Sequence, residues 1–415
     1  MLIVGQFISL FGNNLQRYAL SLYILDITGS ATIFSTLIAL TVIPQIIIVP
    51  YGGAIADYYS KKRIMVVLDT ISGVLLLAFI LTMEHTDTAV LGIGILMCCM
   101  AVIQNMYDPS VRAAIPNLID SQQLAKANSI SQLAATISGL AGPVAAGFIY
   151  GLCGIKVILI INCISFFAAA FMEIFLIIPY QKKKMNQNPL LSFSKDLVHT
   201  LYYINRERKI LLYIAYISAG LNFLIMPLYI IGIPYLEKEI FHVTNQMYGI
   251  SETCIGLGVI AGAVVTGFLS KKLSIQKFHL LFIAIAVIIL CMGFSTLPFI
   301  IGSKKVSYLA YVILTVTGFL FTMCITVSSI FCVTFIQKVT PTEHMGKVMS
   351  LVNAFSTIFL PAGQILYGIL YSTIVNMWFL IYGAVALITL LESYLIYNII
   401  HDKKLSDEVK EKFVP

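Results

Sequence analysis

Charge is scarce in this 415-residue sequence: Asp, Glu, Lys and Arg make up only 11% of it, against roughly 25% in a soluble globular domain. Hydrophobic residues make up 59%. That leaves too little polar surface to cover a water-soluble sphere, so soluble enzymes are excluded. Tryptophan occurs once, beside 22 Tyr and 25 Phe. The apolar tracts run on without alternating in polarity, which excludes a porin-type barrel and suits a helical bundle with aromatic side chains near its interfaces. The eight cysteines (Cys98, Cys99, Cys153, Cys163, Cys254, Cys291, Cys324 and Cys332) contain no CxxC, so neither a disulfide framework nor a zinc site is expected. The six histidines stand mostly at loops and helix ends with no second ligand nearby, and no metal is expected. No basic stretch precedes the apolar opening MLIVGQFISLF; a cleavable signal peptide is therefore not expected and the first helix is retained. Nucleophile-and-base sets, phosphate loops and Rossmann glycine patterns are missing too. Covalent chemistry, ATP hydrolysis and a cofactor are thus not expected, and energy must come from a gradient.

What the sequence does have is hydrocarbon. A membrane-crossing helix takes about 20 residues, and spans are predicted at about 2–25, 31–56, 64–83, 89–107, 128–150, 155–179, 209–233, 248–270, 278–300, 307–335, 347–372 and 376–399. The fold class is an all-α polytopic membrane protein with twelve transmembrane helices, and the bilayer is its first partner. The net charge of +7 reflects topology, not nucleic-acid binding. With the N-terminus inside, 21 of the 26 Lys and Arg residues fall in inner loops, Lys156, Lys238, Lys304 and Lys305 fall in outer loops, and Arg17 alone lies within a span. That bias predicts both termini in the cytoplasm.

The longest polar interruption divides six spans from six. It gives an N-terminal bundle over 1–180, a cytoplasmic central loop over 181–208, a C-terminal bundle over 209–400 and a cytoplasmic tail over 401–415. In the loop, Leu190, Leu191, Phe193, Leu197, Val198, Leu201, Tyr202 and Ile204 recur at helical spacing. This favours an amphipathic helix on the membrane surface, with a plain helical linker as the alternative. The halves also match each other without gaps at an offset of 221 residues. Ile115–Tyr150 aligns with Ile336–Tyr371 and pairs Lys126 with Lys347, Gly142 with Gly363, Gly147 with Gly368 and Tyr150 with Tyr371. Two parallel six-helix repeats, related by an axis along the membrane normal, form the arrangement of alternating-access transporters.

After the second span, Gly53 stands four residues before Asp57, and Lys61, Lys62 and Arg63 follow four residues on. This spacing resembles the loop signature of the major facilitator superfamily, with Tyr58 and Ser60 departing from its usual residues. The resemblance implies that Gly53 permits close packing, Asp57 docks against helix ends of the other half, and Lys61 and Lys62 hold the loop inside. Gly267 to Lys272 is a worn copy without the acid. The fifth span carries Gly142, Pro143 and Gly147 behind Gly139, similar to the glycine-proline signature of exporting antiporters in that superfamily. Small residues let backbones approach, and the proline frees a carbonyl and bends the helix. The segments 112–116, 124–128 and 25–30 resemble the macrolide-efflux and enterobactin-exporter branch across essentially the whole chain. Members usually carry polar residues ahead of the first span, and this sequence begins inside it.

Charges within spans cost roughly 2.5–3.5 kcal/mol each on insertion scales and are functional candidates by default. They are Arg17, Asp69, Glu173, Glu252 and Glu392. For Asp69, Glu173 and Glu392, snorkelling or structural pairing is expected ahead of proton transfer. Arg17 and Glu252 lie on spans that line the cavity in the resembling fold and stand at comparable depth; they pair, or else each satisfies itself separately. Asn13, Asn14, Gln16, Gln45, Gln104 and Asn222 are cavity candidates, serving either as substrate contacts or as helix glue. The reading is a proton-coupled secondary exporter of amphipathic small molecules such as macrolide-like drugs. It is expected to act as a monomer in a bacterial cytoplasmic membrane, without enzymatic activity. Siderophore export, lysolipid transport and a non-transporting membrane sensor are the alternatives.

Overall fold

A computed structural model describes residues 2–58, 60–83, 89–118, 123–178, 209–269, 277–302, 306–340, 345–374 and 376–401. Hydrocarbon offers the backbone no hydrogen-bond partners, so each apolar tract must satisfy its own amides, and the helix does this within one segment. The helices are α1 (Leu2–Thr28), α2 (Ala31–Tyr58), α3 (Lys61–Thr82) and α4 (Ala89–Ala114). Next come α5 (124–153) and α6 (155–174), which form one stretch broken at Gly154. The rest are α7 (209–240), α8 (Asn245–Leu269), α9 (Phe278–Phe294), α10 (Tyr308–Val339), α11 (345–373) and α12 (Trp378–His401). No strand occurs among the described residues.

Eight stretches are long and apolar enough to cross a membrane, and one of them, Ala127–Ile174, holds both α5 and α6. Residues 31–46 and Phe278–Phe294 are shorter apolar helices. By that measure α1 does not qualify, because it carries Gln6, Asn13, Asn14, Gln16 and Arg17 in its length.

Several boundaries differ from the hydropathy reading, and three of them bear on residues singled out above. Helix α4 does not end near 107 but continues through Pro109 to Ala114, because neighbouring helices can satisfy a proline-broken ladder inside a membrane. Helix α7 does not end at 233; it runs on to Ile240 through three π-helical segments, Leu221–Ile225, Leu228–Gly232 and Leu236–Ile240. Pro227 and Pro234 lack a backbone donor and crowd the preceding turn, and the wider π turn absorbs that misfit. Helix α2 reaches Tyr58, which places Asp57 in its last turn and not beyond it. The surroundings of Gly53, the side chain of Asp57, the central segment 181–208 and the tail beyond His401 lie outside the described residues.

The chain packs as two units. The first comprises Met1–Ser194 with Thr244–Thr253, and the second Lys195–Val243 with Cys254–Pro415. In the first, α1 and α3 both lie along the α5–α6 stretch, and α2 packs on α4. In the second, α9 sits between α12 and α10, and α7 packs on α11. Stacked rings of Phe278 and Phe331, 4.8 Å apart, join α9 to α10. Large apolar side chains such as Leu81, Leu152 and Phe268 are exposed, as expected where the solvent is lipid.

The repeat has a structural counterpart. A β-carbon added at Gly142 on α5 falls 2.8 Å from Asn14 Cβ on α1, and one added at Gly363 on α11 falls 2.9 Å from Pro227 Cγ on α7. The paired glycines thus each mark a close helix approach within their unit.

Gly154 breaks α5 from α6 at φ 75° and ψ 178°, a conformation essentially confined to glycine. No neighbour lies within 4 Å of an added β-carbon there or at helical Gly139. Gly154→Ala therefore meets backbone strain alone, of order 1–3 kcal/mol, whereas Gly139→Ala gains up to about 1 kcal/mol of helix propensity. Thermal unfolding of the purified protein should show the first variant below wild type and the second at or above it. Equal midpoints for the two would contradict the break at Gly154.

Candidate functional site

The polar residues of the first unit converge on α1. Asn13 Nδ2 donates to Gln104 Oε1 on α4, and Gln104 Nε2 donates 2.7 Å to Asp108 Oδ1 one turn on. Asp108 is an intramembrane acid that the hydropathy reading missed because it closed the fourth span at 107. The signal was available in the i, i+4 spacing of Gln104 and Asp108, which puts both on one helix face.

Three residues along from Asn13, Gln16 is 3% exposed. Its Oε1 accepts from Asn162 Nδ2 on α6, and Ser165 Oγ donates to Asn162 Oδ1 at 2.9 Å. Gly12 makes room: a β-carbon there would strike both Asn162 and Ser165. Near the start of α1, Ser131 Oγ donates to Gln6 Oε1 at 2.8 Å. These contacts bond helices together. Asn13 and Gln104 are only partly buried, which leaves this pair of the six cavity candidates both joined and accessible. Asn14 backs onto Gly142, and Gln45 is exposed. In the second unit, Asn222 Nδ2 donates within its own helix to Ser218 O at 2.9 Å.

The intramembrane charges have distinct settings. Arg17 is exposed, with its guanidinium carbon 5.1 Å from the ring centre of Tyr18, a cation–π geometry. Glu252 is 4% exposed and belongs to the part of α8 that packs in the first unit. Asp69 on α3 accepts from Ser9 Oγ of α1 at 3.2 Å. Glu173 on α6 accepts from Tyr107 OH of α4 at 2.7 Å. In the second unit one oxygen of Glu392 faces the space over Gly220, and the other is buried without a hydrogen-bond partner among the described residues. Lys61 and Lys62 open α3, both partly buried.

The Gly-Pro segment is a backbone contact surface. A β-carbon at Gly249 on α8 falls 2.6 Å from Pro143 O, and one at Gly147 falls 3.1 Å from Gly249 Cα. Thr253 Oγ1 donates to Leu140 O at 3.0 Å. Helices α5 and α8 therefore cross backbone on backbone, in the manner of small-residue membrane contacts. Among the described residues no group of three or more His, Cys, Asp or Glu could hold a metal ion.

Membrane-crossing helices in a duplicated pattern, with a polar network threaded through an otherwise apolar bundle, define a polytopic transport protein. The sequence matches the family model of the Major Facilitator Superfamily over residues 2–363, and the chain belongs to that superfamily. It is similar to macrolide efflux protein A of Streptococcus pyogenes, 24% identical over 395 residues and covering 91% of each chain. It is also similar to the staphyloferrin A transporter of Staphylococcus aureus, 20% identical over 280 residues, covering 67% of this chain and 68% of that one. Among solved structures, a bacterial homologue of the iron transporter ferroportin in an inward-facing state aligns with a TM-score of 0.72 at 13% identity, over 95% of this chain and 97% of that one. The xylose transporter XylE from E. coli aligns at 0.68 and 13%, over 99% and 98%. These structures show the fold. The protein is a membrane transporter and not an enzyme.

Overpacking a close helix contact costs about 1–3 kcal/mol. Gly249→Ala and Gly142→Leu should both lower the unfolding midpoint, with membrane insertion retained, while Gly139→Ala should not. Normal stability and normal transport in Gly142→Leu would remove the packing account of the Gly-Pro segment.

Proposed function

We propose that the protein is a proton-coupled exporter of amphipathic small molecules of the macrolide type, working by alternating access. The likeness to macrolide efflux protein A along 91% of the chain carries the reading. The close contact of Gly142 with α1 and the backbone crossing at Pro143, Gly147 and Gly249 support it, since the family's exporting antiporters carry such a glycine-proline segment. The partly accessible Asn13–Gln104 pair offers amide donors and acceptors to a polar group on an otherwise apolar substrate. The transporter acts as a monomer in a bacterial cytoplasmic membrane with both termini inside. Siderophore export is the second reading, favoured by the likeness to the staphyloferrin A transporter; lysolipid movement is the third.

Everted vesicles expressing the chain should accumulate a macrolide only when energised, and a protonophore should abolish the uptake. Uptake that survives the protonophore but needs sodium would replace the proton. Uptake of a ferric-free siderophore in place of the macrolide would move the reading to the second substrate class. In the same vesicles, Asp57→Asn should slow turnover severalfold with insertion unchanged, because its carboxylate helps latch the loop against a helix N-terminus. A wild-type rate would leave that loop as a topology signal.

Arg17 and Glu252 serve as the gating charges of this mechanism, titrating together as the transporter cycles. Glu252 is buried and Arg17 is exposed; an opposite charge within reach of a buried carboxylate offsets part of its lost hydration, and loss of the partner leaves it costly. Each single charge reversal, Arg17→Glu or Glu252→Arg, should reduce transport at least tenfold, and the double reversal should restore part of it. Absence of rescue, combined with full activity in Glu252→Gln, would take Glu252 out of the mechanism.

A further inference from the structure

The first unit holds a second polar site, away from the amides of α1. Asp69 and Glu173 come from α3 and α6, and both side chains are almost fully buried, at 2% and 1% exposure. They lie near enough for Glu173 to act electrostatically on Asp69. Each has one neutral donor: Ser9 Oγ to Asp69 Oδ2 at 3.2 Å and Tyr107 OH to Glu173 Oε1 at 2.7 Å.

The surroundings are apolar. Tyr107 sits in a core cluster with Leu2, Met65, Leu68, Ile103 and Leu176. The charged and titratable groups on the helices packed here are few. Helix α1 contributes the Ser9 hydroxyl and, further on, the exposed Arg17; α3 contributes Asp69, with Lys61, Lys62 and Arg63 at its opening turn; α4 contributes Tyr107 and Asp108, with Arg112 further on; and the α5–α6 stretch contributes Glu173, with Lys126 near its start and the exposed Lys156 at the far end of α6, the side chains of Arg112 and Lys126 lying outside the described residues. Among the described residues no cation pairs with either acid.

A separate observation shows that the site is short of a hydrogen-bond donor among the described residues. Glu173 Oε2 is buried and has no hydrogen-bond partner among the described residues. A carboxylate oxygen accepts and cannot donate, so an orphaned one in an apolar cluster forfeits its hydration with nothing in return. Two neighbouring carboxylates without a cation repel each other as well, and such pairs characteristically resolve by holding a proton. A proton on Glu173 Oε2 or on Asp69 turns an acceptor into a donor and removes one charge.

We propose that Asp69 and Glu173 form a proton-binding pair buried within the N-terminal unit, between α3 and α6, with Ser9 and Tyr107 as its neutral donors. The pair loads and releases a proton without bond-making at any other atom. Its use in coupling rests on the export reading, but its existence does not, because the measurement below needs neither substrate nor gradient.

The test is infrared difference spectroscopy of the purified full chain in lipid nanodiscs. Wild-type minus Asp69→Asn and wild-type minus Glu173→Gln spectra at neutral pH should contain a protonated-carboxyl C=O band that downshifts in heavy water, disappears on alkalinisation and is lost in the double variant. Exchange of sodium for choline should leave it in place. Difference spectra showing only ionised carboxylate bands at neutral pH would overturn the proposal. So would a site whose spectrum follows sodium concentration and not pH. Should an acid variant fail to fold, Tyr107→Phe keeps both acids and removes only the donor to Glu173. It should move the band to higher wavenumber, and an unchanged band would overturn the pairing of Tyr107 with a protonated Glu173.

Discussion

A polar group inside hydrocarbon must find its partner within the protein, because no water is there to replace it. The internal organisation of the first unit follows from that constraint. Helix α1 carries more polar side chains than a membrane helix tolerates alone, and their hydrogen bonds fix its neighbours. Gln6 reaches Ser131 on α5, Asn13 reaches Gln104 on α4, Gln16 reaches Asn162 on α6, and Ser9 reaches Asp69 on α3. One helix is thereby tied to four others by side chains that cannot be satisfied elsewhere. Each such bond contributes modestly, on the order of 0.6 kcal/mol in membrane proteins. Their value lies in register: a rotation of α1 by one residue would strand several amides at once.

Packing supplies the complementary constraint. Lipid tails are as apolar as leucine side chains, so helices gain little by hiding apolar surface from lipid and depend on close contact. The glycines stand where that contact is tightest: Gly142 against α1, Gly147 and Gly249 backbone on backbone between α5 and α8, and Gly363 against α7. Gly142 and Gly363 are equivalent positions of the duplicated segment, so the same device closes a five-to-one contact in one unit and an eleven-to-seven contact in the other. A duplicated sequence keeps a glycine at such a point because any β-carbon would push a whole helix aside.

The twelve tracts and the glycine positions were legible because each depends on local composition. A run of about 20 apolar residues has few other fates, and a glycine-proline pair in a helix has a short list of uses. The ends of α4 and α7 were not legible. Proline normally closes a helix, and only tertiary partners let α4 pass Pro109 and α7 pass Pro227 and Pro234. Partner identity was equally hidden. The polar residues of α1 could be named from the sequence, but Gln16 meeting Asn162, or Tyr107 meeting Glu173, depends on how four helices cross, and hydropathy carries no information about that. Asp108 escaped notice for a simpler reason: a boundary drawn one residue early removed it from the list of intramembrane charges.

The acids of the first unit show how environment sorts residues that sequence treats alike. Asp108 receives a primary amide from Gln104 and is only partly buried, so hydration can still compensate its charge. Asp69 and Glu173 are nearly inaccessible and have one hydroxyl donor each. A neutral hydroxyl offsets a small part of what a carboxylate loses on leaving water. Burial without a cation therefore sets these two apart from Asp108, although all three are single acids in apolar tracts. The first unit thus has two kinds of polar site: an amide and carboxylate face that remains partly accessible, suited to a ligand that brings its own donors, and a buried acidic pair with one carboxylate oxygen left without a donor among the described residues.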